Sequence, residues 1–162
     1  MNISFVCLGN ICRSPTAEAV MPHLVVEAGL DDRIGIESAG TGGWHVGHPP
    51  DPRTRAEAER RGIAMTSTAR QFQAVDFTRL DLILAMDHQN LADLTSLARD
   101  DAERAKVRLL RSYDPAPDVG HDLAVPDPYY GGPEGFRQVF DMVQVACTGL
   151  LVALAAQLPA RP

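Results

Sequence analysis

The chain has 162 residues, enough for one domain around a single substantial core, and a formal net charge of −6. That acidity argues against nonspecific nucleic-acid binding, which needs a basic face, and leaves anion binding to a local positive site. Cysteines are few (Cys7, Cys12 and Cys147), an odd number unlike a secreted disulfide framework.

The start, MNISFVCLGN, lacks a basic region followed by a long apolar core, so it does not resemble a signal peptide. A cytoplasmic protein is expected, with export by a route lacking such a peptide left open. Ile3 to Leu8 is apolar and rich in strand formers, which predicts a buried strand. Ser14-Pro15 offers an N-cap and a first-turn proline for a helix to about Ala28, kinked at Pro22 and stopped by Gly29. RIGIESAG (33–40) predicts a second strand, TGGWHVGHPPD a loop, and PRTRAEAERRG a polar helix ending at Gly62. LDLILAM (80–86) is a third strand, QNLADLTSLARD a helix, and AKVRLL (105–110) a fourth strand. Ser112 to Pro133 is irregular, and a long helix from about Glu134 closes the chain. Its stretch Met142–Ala160 carries no charge and is long enough to span a membrane. Gln144, Thr148, Gly149 and Gln157 interrupt it, and Glu134, Arg137 and Asp141 continue the same pattern upstream, so it is expected to pack on the sheet. Strands alternating with helices predict one α/β domain over residues 1–162: a four-stranded parallel sheet flanked by helices on both faces. Ligands in such folds bind beyond the carboxyl ends of the strands.

The stretch VCLGNICRSPTAEA (Val6–Ala19) lies at such an end. Gly9 and Asn10 tolerate unusual backbone angles, so the loop can turn successive N–H groups inward. With the helix dipole this makes an anion cradle from Leu8 through Gly9, Asn10, Ile11 and Cys12 to Arg13 and Ser14. Arg13 can fork onto two phosphate oxygens. Cys7 lies beneath, where a positive field favours the thiolate, a nucleophile for phosphoryl transfer. The order of a Walker loop is missing, no second ligand pair suits zinc, and the spacing exceeds C-x-x-C. By itself C-x5-R is a weak signal; the strand before it and the helix after it sharpen it. The alternative is that Cys7 and Cys12 merely fill the core.

A phosphate ester also needs a proton donor for its leaving group. Asp114, Asp118, Asp122 and Asp127 all lie in the proline-rich segment, and Pro126 and Pro128 stiffen the backbone at Asp127. Asp87 is placed to cap the helix after strand three, a structural role. Trp44, Tyr129 and Tyr130 can flank a flat ring, and His45 and His48 are expected to be solvated loop residues rather than metal ligands.

VCLGNICRSPTAEA resembles the signature of the low-molecular-weight protein tyrosine phosphatases. ESAGT (37–41), AMDHQN (85–90) and VPDPYYGG (125–132) extend the resemblance, in the family's order, along nearly the whole chain. It implies hydrolysis of phosphotyrosine-containing proteins through a cysteinyl-phosphate on Cys7, with Arg13 clamping the phosphate and Asp127 as general acid and then base. It further implies that Ser14 donates to the Cys7 sulfur, that Asn10 and Ser38 hold the loop in shape, and that Trp44 and the two tyrosines wall the substrate ring. Cys12 resembles the second loop cysteine of many members, a partner for Cys7 in a reversible disulfide; Cys147 is assigned to helix packing. No cofactor and no metal is expected, nor a nucleic-acid or membrane partner, and the chain is expected as a monomer or weak dimer. An arsenate reductase on the same fold would need more cysteines for its relay. A noncatalytic phosphotyrosine-binding module would be expected to lack Cys7, Arg13 or Asp127.

Overall fold

The computed structural model describes residues 1–115 and 122–159. Four strands, β1 (Asn2–Cys7), β2 (Gly35–Gly40), β3 (Leu82–Ala85) and β4 (Val107–Leu109), form an all-parallel sheet in the order β2-β1-β3-β4. Five helices join or follow them: α1 (Arg13–Glu27), α2 (Pro52–Arg60), α3 (His88–Leu97), α4 (Asp101–Ala105) and α5 (Pro133–Gln157). Ile3, Phe5 and Cys7 of β1 face a core shared with α1 and α5, whereas Val6 faces the other core with Phe77, Ile83 and α3's Leu94. The alternation of β1 side chains thus serves both faces of a covered sheet.

Each predicted strand is present, and each predicted helix but one, with ends shifted by a few residues. α1 runs through Pro22. It closes at Gly29, whose φ of 64° lets Leu30 and Gly29 donate back to the Val25 and Val26 carbonyls. Its beginning differs from expectation. The helix opens at Arg13, Cys12 occupies the cap position without a side-chain cap bond, and Ser14 lies inside the first turn. The Ser14 hydroxyl is drawn elsewhere, as described below. The expected single helix over 89–100 is two, because Ala98 turns extended and Asp100 caps a separate α4 by accepting from the Glu103 amide.

α5 is 25 residues long and, by length and composition, apolar enough to cross a membrane. Phe140, Val143, Cys147, Leu150 and Leu154 recur at helical spacing and are buried against α1 and the sheet. At about 1.5–3 kcal/mol for each large side chain buried, that stripe is a main support of the fold. Burial also holds the Cys147 thiol well above the usual range, in keeping with packing.

Candidate active site

The loop from Leu8 to Cys12 joins the carboxyl end of β1, an inner strand, to the first turn of α1. Its turn is made at Asn10, with φ of 56°. Asparagine tolerates this left-handed region better than most residues, and the side chain then holds the turn from within. Asn10 Nδ2 donates to Ser14 Oγ at 2.8 Å and to Ser38 Oγ at 2.7 Å, while its Oδ1 accepts from the Arg70 amide at 3.0 Å. Asn10 is 2% exposed, Ser14 fully buried and Ser38 5% exposed, so these bonds are shielded from water.

The Cys7 sulfur sits at the floor of the loop. It accepts from the Asn10 amide at 3.3 Å and lies 3.0 Å from Ser14 Oγ. Ser14 therefore faces the sulfur rather than capping the helix. The amides of Gly9, Ile11 and Cys12 have no protein acceptor among the described residues, and the first amides of α1 have none within a helix by construction. Gly40 closes the loop from behind. A Cβ there would lie 2.7 Å from the Leu8 carbonyl, and its absence leaves room for the close approach in which Thr41 and Gly42 donate to the Cys7 and Leu8 carbonyls.

Arg13 is 3% exposed. Its Nη1 donates to Asp87 Oδ2 at 2.5 Å and to the Val125 carbonyl at 3.1 Å, and its Nη2 to Asp127 Oδ2 at 3.3 Å. Burial opposes its charge, but the Cys7 sulfur and the two aspartates outweigh burial and raise its pKa. Asp87 caps α3 through the Asn90 amide, as expected, and also holds Arg13, which the sequence did not reveal.

Of the four aspartates considered as proton donor, Asp127 lines the cavity above Cys7. Asp114 pairs with Arg111 and Asp122 with His88, and Asp118 lies outside the described residues. Asp127 Oδ1 accepts from the Tyr129 amide at 3.1 Å, and its side chain is 44% exposed, so it stands at the mouth. The cavity, about 240 Å³, is walled by Leu8, Ile11, Trp44, His45, Tyr129 and Tyr130 over Cys7, Cys12 and Arg13. Tyr129 and Tyr130 meet edge to face at 5.0 Å; Trp44 and Tyr130 are 73% and 96% exposed and form a rim. His45 is a wall residue and His48 neighbours it at 6.0 Å between ring centroids.

Three residues of the site were missed in the sequence. Glu18, one helical turn after Ser14, accepts from Ser38 Oγ at 2.5 Å. Asp51, the cap of α2, donates its amide to the Ile11 carbonyl at 2.8 Å. Arg53 is held by the Asp51 carboxylate, donates to the Tyr129 carbonyl at 2.9 Å, and lies over the Tyr129 and Phe136 rings. Cys12 is buried between Ile11 and Phe136, and burial pushes its thiol up to about 12.

A parallel α/β sheet thus carries a cysteine and an arginine in one amide-lined loop at the end of an inner strand, a candidate site for an oxyanion. Residues 2–160 match the family described as low molecular weight phosphotyrosine protein phosphatase. A low molecular weight protein-tyrosine-phosphatase of Streptomyces coelicolor is 53% identical over 159 residues, 98% of this chain and 96% of the relative. The protein tyrosine phosphatase crystal structure from Entamoeba histolytica superposes with a TM-score of 0.91 at 36% identity, covering 97% of this chain and 98% of that one. A structure described as a Drosophila arginine phosphatase superposes with a TM-score of 0.85 at 34% identity, covering 95% and 98%. The chain belongs to the low molecular weight phosphotyrosine protein phosphatase family and is a phosphatase.

Proposed function

We propose that the protein hydrolyses phosphotyrosine in two steps through a phosphate ester of Cys7. The observation that carries this reading is the position of the Cys7 sulfur, which meets both the Asn10 amide and the Ser14 hydroxyl at the floor of an amide-lined loop. The Asn10 amide aimed at the sulfur, with Ser14 Oγ beside it, holds the sulfur in place for attack and stabilises the charge it takes up when it leaves later. In the first step the Cys7 thiolate attacks phosphorus, the bond to the tyrosyl oxygen breaks, and Asp127 gives that oxygen its proton. Arg13 and the loop amides hold the three equatorial oxygens as charge shifts. In the second step Asp127 takes a proton from water, which attacks the phosphorus and releases Cys7 as thiolate and free phosphate.

Asp87 and the Val125 carbonyl fix the Arg13 guanidinium by Nη1, leaving Nη2 for the incoming phosphate in place of Asp127. Leu8, Ile11, Trp44, Tyr129 and Tyr130 suit an aromatic leaving group, and phosphotyrosine reaches the sulfur from the aromatic rim where the shorter phosphoserine does not. The arginine phosphatase likeness favours one second reading, phosphoarginine, whose leaving nitrogen Asp127 would protonate. Comparing kcat/KM on matched phosphotyrosine and phosphoarginine peptides separates them. A higher value for phosphotyrosine supports the proposed reading, and a higher value for phosphoarginine overturns it.

Cys12 is proposed as a guard. If peroxide oxidises the Cys7 thiolate to a sulfenic acid, the Cys12 sulfur attacks it, a disulfide forms and water leaves. Added thiol reverses the block.

A further inference from the structure

Carboxylates around the loop are answered by guanidinium groups: Asp51 by Arg53, Asp87 by Arg13, Glu37 and Asp76 by Arg70 and Arg79. Glu18 is an exception. Among the described residues no arginine, lysine or histidine forms an ion pair with it; its Oε2 accepts from the Ser38 hydroxyl, and Ser67 lines the same groove. Burial, and to a lesser degree the nearby Glu37, raise its pKa, and the serine hydroxyls and the more distant charge of Arg70 only partly offset that. Glu18 also lines a groove of about 460 Å³, apart from the cavity over Cys7. The groove runs between one face of α1 and the segment 64–67. Pro15, Ala19, Pro22, Ile36 and Met65 supply apolar walls, and His23 also lines it.

We propose that this groove is a second ligand site, for a small organic cation with a short apolar body (an aryl- or alkylammonium, or an amidine) whose charge pairs with Glu18. Among the described residues no three metal-ligating side chains gather here or elsewhere, so the groove is not built for a metal ion. The apolar walls match the body of an organic amine, and the carboxylate supplies the missing half of an ion pair.

The site is wired to the phosphate loop. Glu18 accepts from Ser38 Oγ, Ser38 Oγ accepts from Asn10 Nδ2, and Asn10 Nδ2 also donates to Ser14, which touches Cys7. Ionised Glu18 is only an acceptor. It accepts the hydrogen bond from the Ser38 hydroxyl and leaves the Ser38 lone pairs to Asn10. Neutral Glu18 brings a proton of its own and no longer fixes that hydroxyl. A cation that keeps Glu18 ionised therefore favours the loop arrangement seen here, and phosphate in the loop favours the cation in return.

The test is calorimetric titration of the full chain with benzylamine at neutral pH, with and without saturating inorganic phosphate. It reads binding alone and so does not depend on the proposed reaction. We expect one saturable site and tighter benzylamine binding when phosphate is present. Glu18→Gln should weaken benzylamine roughly tenfold or more. Ala19→Trp, which fills the groove and spares the hydroxyl chain, should abolish it while phosphate alone binds as before. Absence of binding overturns the proposal. So does binding removed by Asp127→Asn but not by Glu18→Gln or Ala19→Trp, which would place the amine at the aromatic rim. Benzylamine affinity that ignores phosphate overturns the coupling.

Discussion

Asp87 holds Arg13 with one carboxylate oxygen, at 2.5 Å, and caps α3 with the other. One side chain thus ties the Arg13 guanidinium to the helix after β3, and the two duties are separable by substitution. Asn is as good a cap as Asp but carries no charge. Asp87→Asn should keep thermal stability close to wild type while phosphate affinity and kcat/KM both fall. Asp87→Ala should lose the same activity and a further ~1 kcal/mol of stability. Thermal melts beside phosphate titrations check this; equal melting losses for both variants would show the cap is not what Ala removes.

Asp127→Ala should slow hydrolysis of phosphotyrosine by about 10²–10⁴-fold, the usual contribution of a general acid. Esters whose leaving groups depart without a proton should lose far less. Steady-state rates across a series of aryl phosphates measure the difference, and equal losses across the series would remove Asp127 from the role of acid.

Arg53 joins the two halves of the site. Through Asp51, whose amide bonds the Ile11 carbonyl, it reaches the phosphate loop, and through the Tyr129 carbonyl it reaches the segment carrying Asp127. Arg53→Met keeps much of the packing on Tyr129 and Phe136 but drops the hydrogen bonds. Losing the charge-assisted bond to the Tyr129 carbonyl, the one that reaches the Asp127 segment, should cost roughly tenfold on phosphotyrosine and less on esters with good leaving groups. A uniform loss over the same series would mean that Arg53 only supports the fold.

How much of this was legible beforehand follows from where each interaction lies. The strands and helices announced themselves through apolar runs and through Gly29 and Gly62, which end helices by local geometry. Cys7 and Arg13 stood out because their spacing, glycine and helix start are local too. Ser14 was misplaced as a cap because Ser-Pro fits that position by propensity; the tertiary pull of Cys7, Asn10 and the Ala39 carbonyl overrides it. Glu18, Asp51 and Arg53 acquire their roles only from partners on other elements, such as Ser38, Ile11 and Tyr129. A hint for Glu18 existed, since Ser14 and Glu18 share a helix face four residues apart. Asp87 showed its cap but not Arg13, which lies 74 residues earlier in the chain.

Acid should weaken the network behind the loop. Burial tends to raise the pKa of Asp76, but Arg70, the Gln73 amide and Arg79 outweigh it and hold it below the usual value. A carboxylate depressed in the folded state stabilises the fold above its unfolded pKa, about 3.9, and that contribution is lost as pH falls through the folded value. Melting temperatures should therefore drop below about pH 4. Arg79→Gln should flatten that limb and cost about 1 kcal/mol at neutral pH, since Arg79 is partly exposed. An unchanged acid limb would show that the pairing contributes nothing.

Burial pushes the Cys12 thiol up to about 12, so it is chiefly the unreactive thiol at pH 8. Iodoacetamide should label it slowly in the folded protein and fully in urea. After peroxide, peptide mapping should find a Cys7–Cys12 crosslink, and thiol should restore activity. Inactivation with both sulfurs uncrosslinked would end the guard proposal.

The most direct test of the proposed chemistry is to quench the enzyme in acid during turnover of an aryl phosphate and locate the phosphoryl group by mass spectrometry. The proposed mechanism requires it on Cys7, absent in Cys7→Ser, with more accumulating when Asp127→Ala slows the water step on a substrate with a good leaving group. Full turnover with no phosphoryl group on Cys7, or a Cys7→Ser protein that turns over normally, would contradict it.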